Sequence, residues 1–331
     1  MKILFYQSKG ATLSINLLFN IIRQNLPGSV KFSTSYFRYT GSSIKDRVYD
    51  VFSVVLKSRN VINHVIGDFN YATYFMPKGN TILTIHDLYR LYVYNNSPFK
   101  VFIFKWFWLR VPIVKSAVVT AVSQCTKNEI VKYANCPPGK IRVIYNCISP
   151  DFQPAPKIFN KLKPVLLQMG TRANKNLERL VQAIAGIHCK LDIVGEPNPE
   201  TFKLLDQYKI DHCWANNLSK KEIIKKYNAC DMLVFVSTYE GFGMPIIEAN
   251  AVERAVVTAN VSAMPEIAGM AACLVDPFDI EAIRNGIMRV IEDDEYRQQL
   301  IEAGRKNKAR FEAKNIANQY CDLYKEVWSK I

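Results

Sequence analysis

The chain has 331 residues, enough for two ordinary domains of about 150 residues each. Its 49% apolar and 22% charged composition excludes a disordered polymer, and no run approaches the ~18 uninterrupted apolar residues of a membrane span. The formal charge of +14 is uneven: residues 1–155 carry 19 Lys and Arg against 6 Asp and Glu, the remainder 24 against 23. That imbalance points the first half toward a polyanion, either an anionic membrane surface or nucleic acid, or else toward nothing beyond a soluble basic surface. The eight cysteines are scattered without a CxxC pair, which argues against structural zinc and a disulfide framework and for buried, reduced thiols.

In chain order, the first apolar run is broken by Gln7, Ser8 and Lys9, so it reads as a buried strand at residues 3–6 and is too short for a signal peptide. A cytoplasmic protein is expected. Further strands are predicted at 61–66, 81–85, 118–122 and 142–144, with helices near 13–24, 44–58, 99–114 and 126–133. A break follows at 146–163, holding Pro150, Pro154 and Pro156 with Pro164 at its end, and reads as an interdomain linker. Strands then recur at 165–169, 191–194, 232–236, 255–258 and 272–275. Continuous apolar strands alternating with helices predict an α/β protein: two Rossmann-like, doubly wound parallel sheets in domains at 1–155 and 156–315, facing a cleft. Ligands in such sheets bind beyond the carboxyl ends of strands, so the strand-end loops hold the candidates.

Three loops stand out. After strand 81–85 come His86 and Asp87, a base for cleft chemistry or, as plainly, a strand-end residue and a helix cap. After strand 165–169, Gly170 is followed by Arg172 and Lys175 at a helix start, where cations and the helix N-terminus suit the negative charge of a diphosphate. After strand 232–236 comes EGFGMPIIE, residues 240–248. Gly241 and Gly243 let backbone approach a ligand, Pro245 suits a first helical turn, and Glu240 and Glu248 can accept hydrogen bonds from vicinal hydroxyls.

These motifs resemble the family-4 retaining glycosyltransferases of the GT-B fold, whose hallmark is a loop Glu and a helix Glu around a G-F-G-x-P core. VSAMPEIAGMAACLVDP (261–277), the KN pair at Lys175–Asn176, the T-x-H-D strand end, AVSQCTKNEI (121–130), VIYNCISPDF (143–152) and the run from FEAKNIANQY extend the match. The resemblance implies a nucleotide-sugar donor with Glu240 facing the transferred sugar and Glu248 on the ribose. Arg172, Lys175 and the amides of Gly241, Phe242, Gly243 and Met244 would lie along the diphosphate, and His86 near the reacting centre. Asp87 becomes a helper, and Ser123 is either a cleft residue or a helix cap. Gly10 would approach the donor phosphate, although the loop QSKGATLS lacks the family's usual glycine richness. The resemblance also implies that a terminal helix, 316–331, returns to the first domain. No metal or cofactor is expected, since the chain lacks an Asp-x-Asp motif. Base contacts are expected from 195–198 and a loop at 212–218.

The expected function is transfer of a hexose from a UDP- or GDP-sugar to a saccharide acceptor, expected to be lipid-linked, in surface-polysaccharide or lipopolysaccharide synthesis. The segment FKVFIFKWFWLR, residues 99–110, reads either as a peripheral membrane contact or as a core helix. An epimerase of the same fold is the nearest enzyme alternative. A dinucleotide oxidoreductase is disfavoured because no G-x-G-x-x-G follows an early strand. A nucleic-acid partner is disfavoured because no binding module appears.

Overall fold

In the computed structural model, residues 1–8, 13–37, 44–67, 69–94 and 96–331 are described. The chain divides into two compact units: residues 1–147 with 312–331, and residues 148–311. Each holds one six-stranded parallel sheet.

The first sheet comprises β1 (Lys2–Ser8), β2 (Lys31–Phe37), β3 (Ile62–Val65), β4 (Thr81–Ile85), β5 (Val118–Ala121) and β6 (Ile141–Val143), in the order β2-β1-β3-β4-β5-β6. The second comprises β7 (Val165–Met169), β8 (Lys190–Val194), β9 (Asp211–Ala215), β10 (Met232–Phe235), β11 (Ala255–Ala259) and β12 (Cys273–Val275), in the order β12-β11-β10-β7-β8-β9. Ten strands were expected. The two missed, β2 and β9, are edge strands whose side chains are mostly exposed or half-buried. An edge strand has one neighbour and little apolar signal to betray it. The strand β9 also corrects the base-contact loop expected at 212–218, because residues 211–215 pair with β8.

The Pro-rich break is irregular, but it is pinned to the second unit. The buried carboxylate of Asp231 accepts from Lys157 Nζ at 2.6 Å, Asn160 N at 3.1 Å and Val165 N at 2.8 Å. Three donors on one buried carboxylate offset its desolvation. The chain enters and leaves this unit side by side, with Ile148 N donating to Phe311 O at 2.8 Å.

The terminal helix Ala313–Trp328 belongs to the first unit and buries Ile316, Ala317, Tyr320, Tyr324 and Val327 against helix Leu13–Gln24 and the sheet. Its Tyr324 hydroxyl lies 2.8 Å from Nδ1 of the fully buried His64, whose Nε2 is 2.7 Å from Thr84 Oγ1. Burial pushes the His64 imidazole down to about 3, so it stays neutral. None of the eight cysteines is in a disulfide, and six are buried.

Candidate functional site

The second sheet reverses its strand order between β7 and β10: β8 and β9 lie to one side, β11 and β12 to the other. Such a switch point leaves a crevice where the loops beyond two neighbouring strands part. The β7 loop begins at Gly170, with φ of +88°, a conformation that side chains disfavour. A Cβ there would meet Lys175 Cε at 3.1 Å, so the glycine lets the lysine stem fold back over the strand end. A short 3₁₀ turn, Ala173–Lys175, then leads to Asn176 in the left-handed region.

Asparagine amides join the β7 and β10 loops. The buried Asn176 donates Nδ2 to Val236 O at 3.0 Å and Pro277 O at 2.7 Å. Asn174 donates to Tyr239 O at 2.9 Å, and Thr238 N returns a bond to Asn174 O at 2.8 Å. Across this seam Lys175 Nζ lies 2.6 Å from Glu240 Oε1, with side chains 19% and 16% exposed. The ammonium also sits 4.7 Å from the Phe235 ring centroid. Glu240 is fixed by Ser262: its N–H donates to Ser262 Oγ at 3.2 Å, and that hydroxyl donates to Glu240 O at 2.6 Å.

Gly241, Phe242 and Gly243 are buried, and Gly243, with φ of +104°, starts helix Met244–Ala251. Met244 is its first residue, and Pro245 lies in the first turn, where no N–H is needed. One turn on, the half-buried Glu248 accepts from the Tyr227 hydroxyl at 2.7 Å. Burial raises the Glu248 carboxyl above its ordinary value, while the Tyr227 bond and the charges of Lys220 and Lys175 oppose that rise. Close packing holds this helix: a Cβ at Gly304 would meet Asn250 Nδ2 at 3.0 Å.

The structure thus joins Lys175 to Glu240, with Gly241–Met244 and Glu248 in the segment that follows. Arg172 is exposed and, with Thr171, Ala173, Asn176 and Arg179, lines a cavity of about 300 Å³. Missing from the sequence reading were Asn174, Tyr227 and Ser262. The left-handed Asn176 carried a usable signal, since Asn directly after the cation at a helix start favours that conformation.

The first unit holds the other candidates. His86 Nε2 lies 3.0 Å from Ile66 O, and because a carbonyl only accepts, Nε2 carries the proton. Asp87 Oδ1 accepts from Tyr89 N at 2.9 Å, a local turn cap. Ser123 is fully buried and caps helix Gln124–Ala134 by accepting from Thr126 N at 3.0 Å. Gly10 lies outside the described residues.

The model of the group 1 glycosyl transferases matches residues 151–307, and that of glycosyltransferase family 4 matches residues 61–152. The serotype-specific mannosyltransferase WbdA of Escherichia coli is 22% identical over 63% of this chain. The O-antigen chain mannosyltransferase B of the same organism is 36% identical over 30% of it. The matched regions span only 28% and 26% of those relatives' own lengths. Among solved structures, Anabaena HepE in complex with UDP and glucose superimposes with a TM-score of 0.76 at 16% identity, covering 98% of this chain and 100% of that one. That likeness gives the fold, two parallel sheets of the GT-B kind. With these two family models together running from residue 61 to 307, the chain belongs to the family-4 glycosyltransferases.

Proposed function

We propose that this chain is a metal-independent, retaining hexosyltransferase that moves a hexose from a UDP- or GDP-linked donor to a saccharide acceptor in cell-surface polysaccharide synthesis. The observation that carries the reading is the Lys175–Glu240 ion pair at the switch point of the second sheet. A half-buried cation placed beside a helix N-terminus suits a diphosphate, whose negative charge grows as the glycosyl bond breaks. On donor binding, Lys175 passes from Glu240 to the phosphate oxygens, and Glu240 turns to the sugar hydroxyls. Glu248, held by Tyr227, accepts from the ribose hydroxyls, and the amides of Gly241–Met244 line the diphosphate. Attack of the acceptor hydroxyl on the face that the diphosphate leaves gives retention without a carboxylate nucleophile. His86 is proposed to contact the donor sugar.

The acceptor is proposed to be lipid-linked, with the protein working at the cytoplasmic face of the membrane. Support comes from the basic residues of the first half and from a relative named for O-antigen chain mannosyl transfer. The test is a panel of nucleotide diphosphates and their hexoses. A true donor at ~100 times its dissociation constant stabilises the fold by about 2.7 kcal/mol. Turnover should survive EDTA and yield product of the donor's anomeric configuration by NMR. Inversion, or complete loss in EDTA restored by a divalent ion, would refute those parts of the proposal.

A further inference from the structure

Residues 98–115 form one continuous helical segment, Pro98–Ile103, Phe104–Arg110 and Val111–Lys115, with right-handed helical backbone at both junctions. Its middle third is a π-helix, and Pro112 supplies the reason. A proline cannot donate to the carbonyl four residues back, and its ring crowds that carbonyl. The freed Trp108 O accepts instead from Asn70 Nδ2 at 2.7 Å, and Phe107 O accepts from the Tyr74 hydroxyl.

The inward side buries Phe104, Leu109, Pro112 and Ile113. The outward side is just as apolar. Phe99 (71% exposed), Phe102 (54%), Ile103, Trp106, Phe107 (52%) and Val114 stand in solvent at spacings that form a single helical ridge. Phe102 and Trp106 rings lie 6.1 Å apart, and the Arg110 guanidinium covers Trp106 at 4.7 Å. A helix apolar on both sides needs a second apolar environment, and a patch this concentrated exceeds ordinary surface scatter.

Charge selects the occupant. From Leu88 to Asn128 the chain has no Asp or Glu but carries Arg90, Lys100, Lys105, Arg110, Lys115 and Lys127. Lys100, Arg110 and Lys115 are exposed beside the ridge. Among the described residues no helix is long and apolar enough to cross a membrane.

We propose that the Phe99–Val114 ridge is an interfacial anchor, inserting Phe102, Trp106 and Phe107 at headgroup depth of an anionic bilayer while Lys100, Arg110 and Lys115 meet the phosphates. It deepens the proposed lipid-linked acceptor, on which its purpose rests, although its test does not. The full chain is mixed at low salt with vesicles of phosphatidylcholine, alone or with about 30% phosphatidylglycerol. The expected result is binding to the anionic vesicles only, with tryptophan emission quenched by brominated lipid. The Trp106→Phe variant should still bind but lose most of that quenching. The variant F102S/W106S/F107S should keep its thermal shift with a nucleotide diphosphate and weaken binding by roughly ten-fold or more.

Undiminished binding by the triple variant, or quenching unchanged in Trp106→Phe, would overturn the proposal. So would a concentration-dependent dimer, lost in the triple variant, from a protein that ignores vesicles, because the ridge would then pair two copies. Vesicle binding without any nucleotide shift would leave the anchor standing and remove the transferase reading.

Discussion

Lys175 and Glu240 are 65 residues apart in sequence and 2.6 Å apart in space. Each holds the other's charge in a site shielded enough for that charge to matter, so removing either leaves its partner uncompensated. Lys175→Ala is expected to lower kcat roughly hundred- to thousand-fold in a donor-saturated assay, the usual loss for one preorganised charge-stabilising group. Glu248 has a different dependence. Burial raises its carboxyl, and the Tyr227 hydroxyl counters that rise by bonding to the ionised form. In Tyr227→Phe the Glu248 carboxyl should rise further, so donor KM should increase on acidification at a higher pH than in the wild type while kcat changes little. A Tyr227 that merely packs would leave the pH profile of KM in place. The sequence singled out Glu240 and Glu248 through the EGFGMPIIE segment and Lys175 through the loop after a different strand, and the structure brings Lys175 onto Glu240. Tyr227 was not singled out, because nothing local marks a buried tyrosine as the partner of a carboxylate 21 positions on.

At the scale of elements, the terminal helix docks through a polar contact set in an apolar interface. His64 is neutral when folded because burial holds its imidazole down to about 3, whereas in the unfolded chain it takes a proton near 6.5. The unfolded state therefore binds more protons between those values. Stability from this group is intact above about pH 6.5 and falls as pH drops toward 3, by up to about 1.4 kcal/mol per unit. Urea denaturation at pH 7 and pH 5 should show that loss in the wild type and a smaller one in His64→Gln. An equal loss in both would exclude His64 as its source. The central strands were readable from continuous apolar runs, since a parallel strand covered on both faces has little room for polar residues. The edge strands β2 and β9 were hidden by their polar side chains, and the helix at 98–115 hid its π turn because Pro112 acts through a carbonyl that Asn70, distant in sequence, satisfies.

Across the whole molecule the two sheets share a plan but carry different chemistry. The second unit carries the Lys175–Glu240 pair at its switch point with Glu248 on the helix that follows, and the first carries the basic excess and the exposed aromatic ridge. The uneven charge was visible in composition, and residues 99–110 read as either a membrane contact or a core helix; burial, which the sequence does not carry, separates the inward aromatics from the outward ones. The central claim is that the crevice beyond β7 and β10 holds an activated sugar. Its most direct test is a crystal of the protein soaked with a nucleotide hexose that stabilises it. The account predicts Lys175 Nζ moved from Glu240 onto a diphosphate oxygen, with Glu248 on the ribose. A nucleotide bound instead in the cavity lined by Arg172 and Arg179, with the Lys175–Glu240 pair intact, would contradict it.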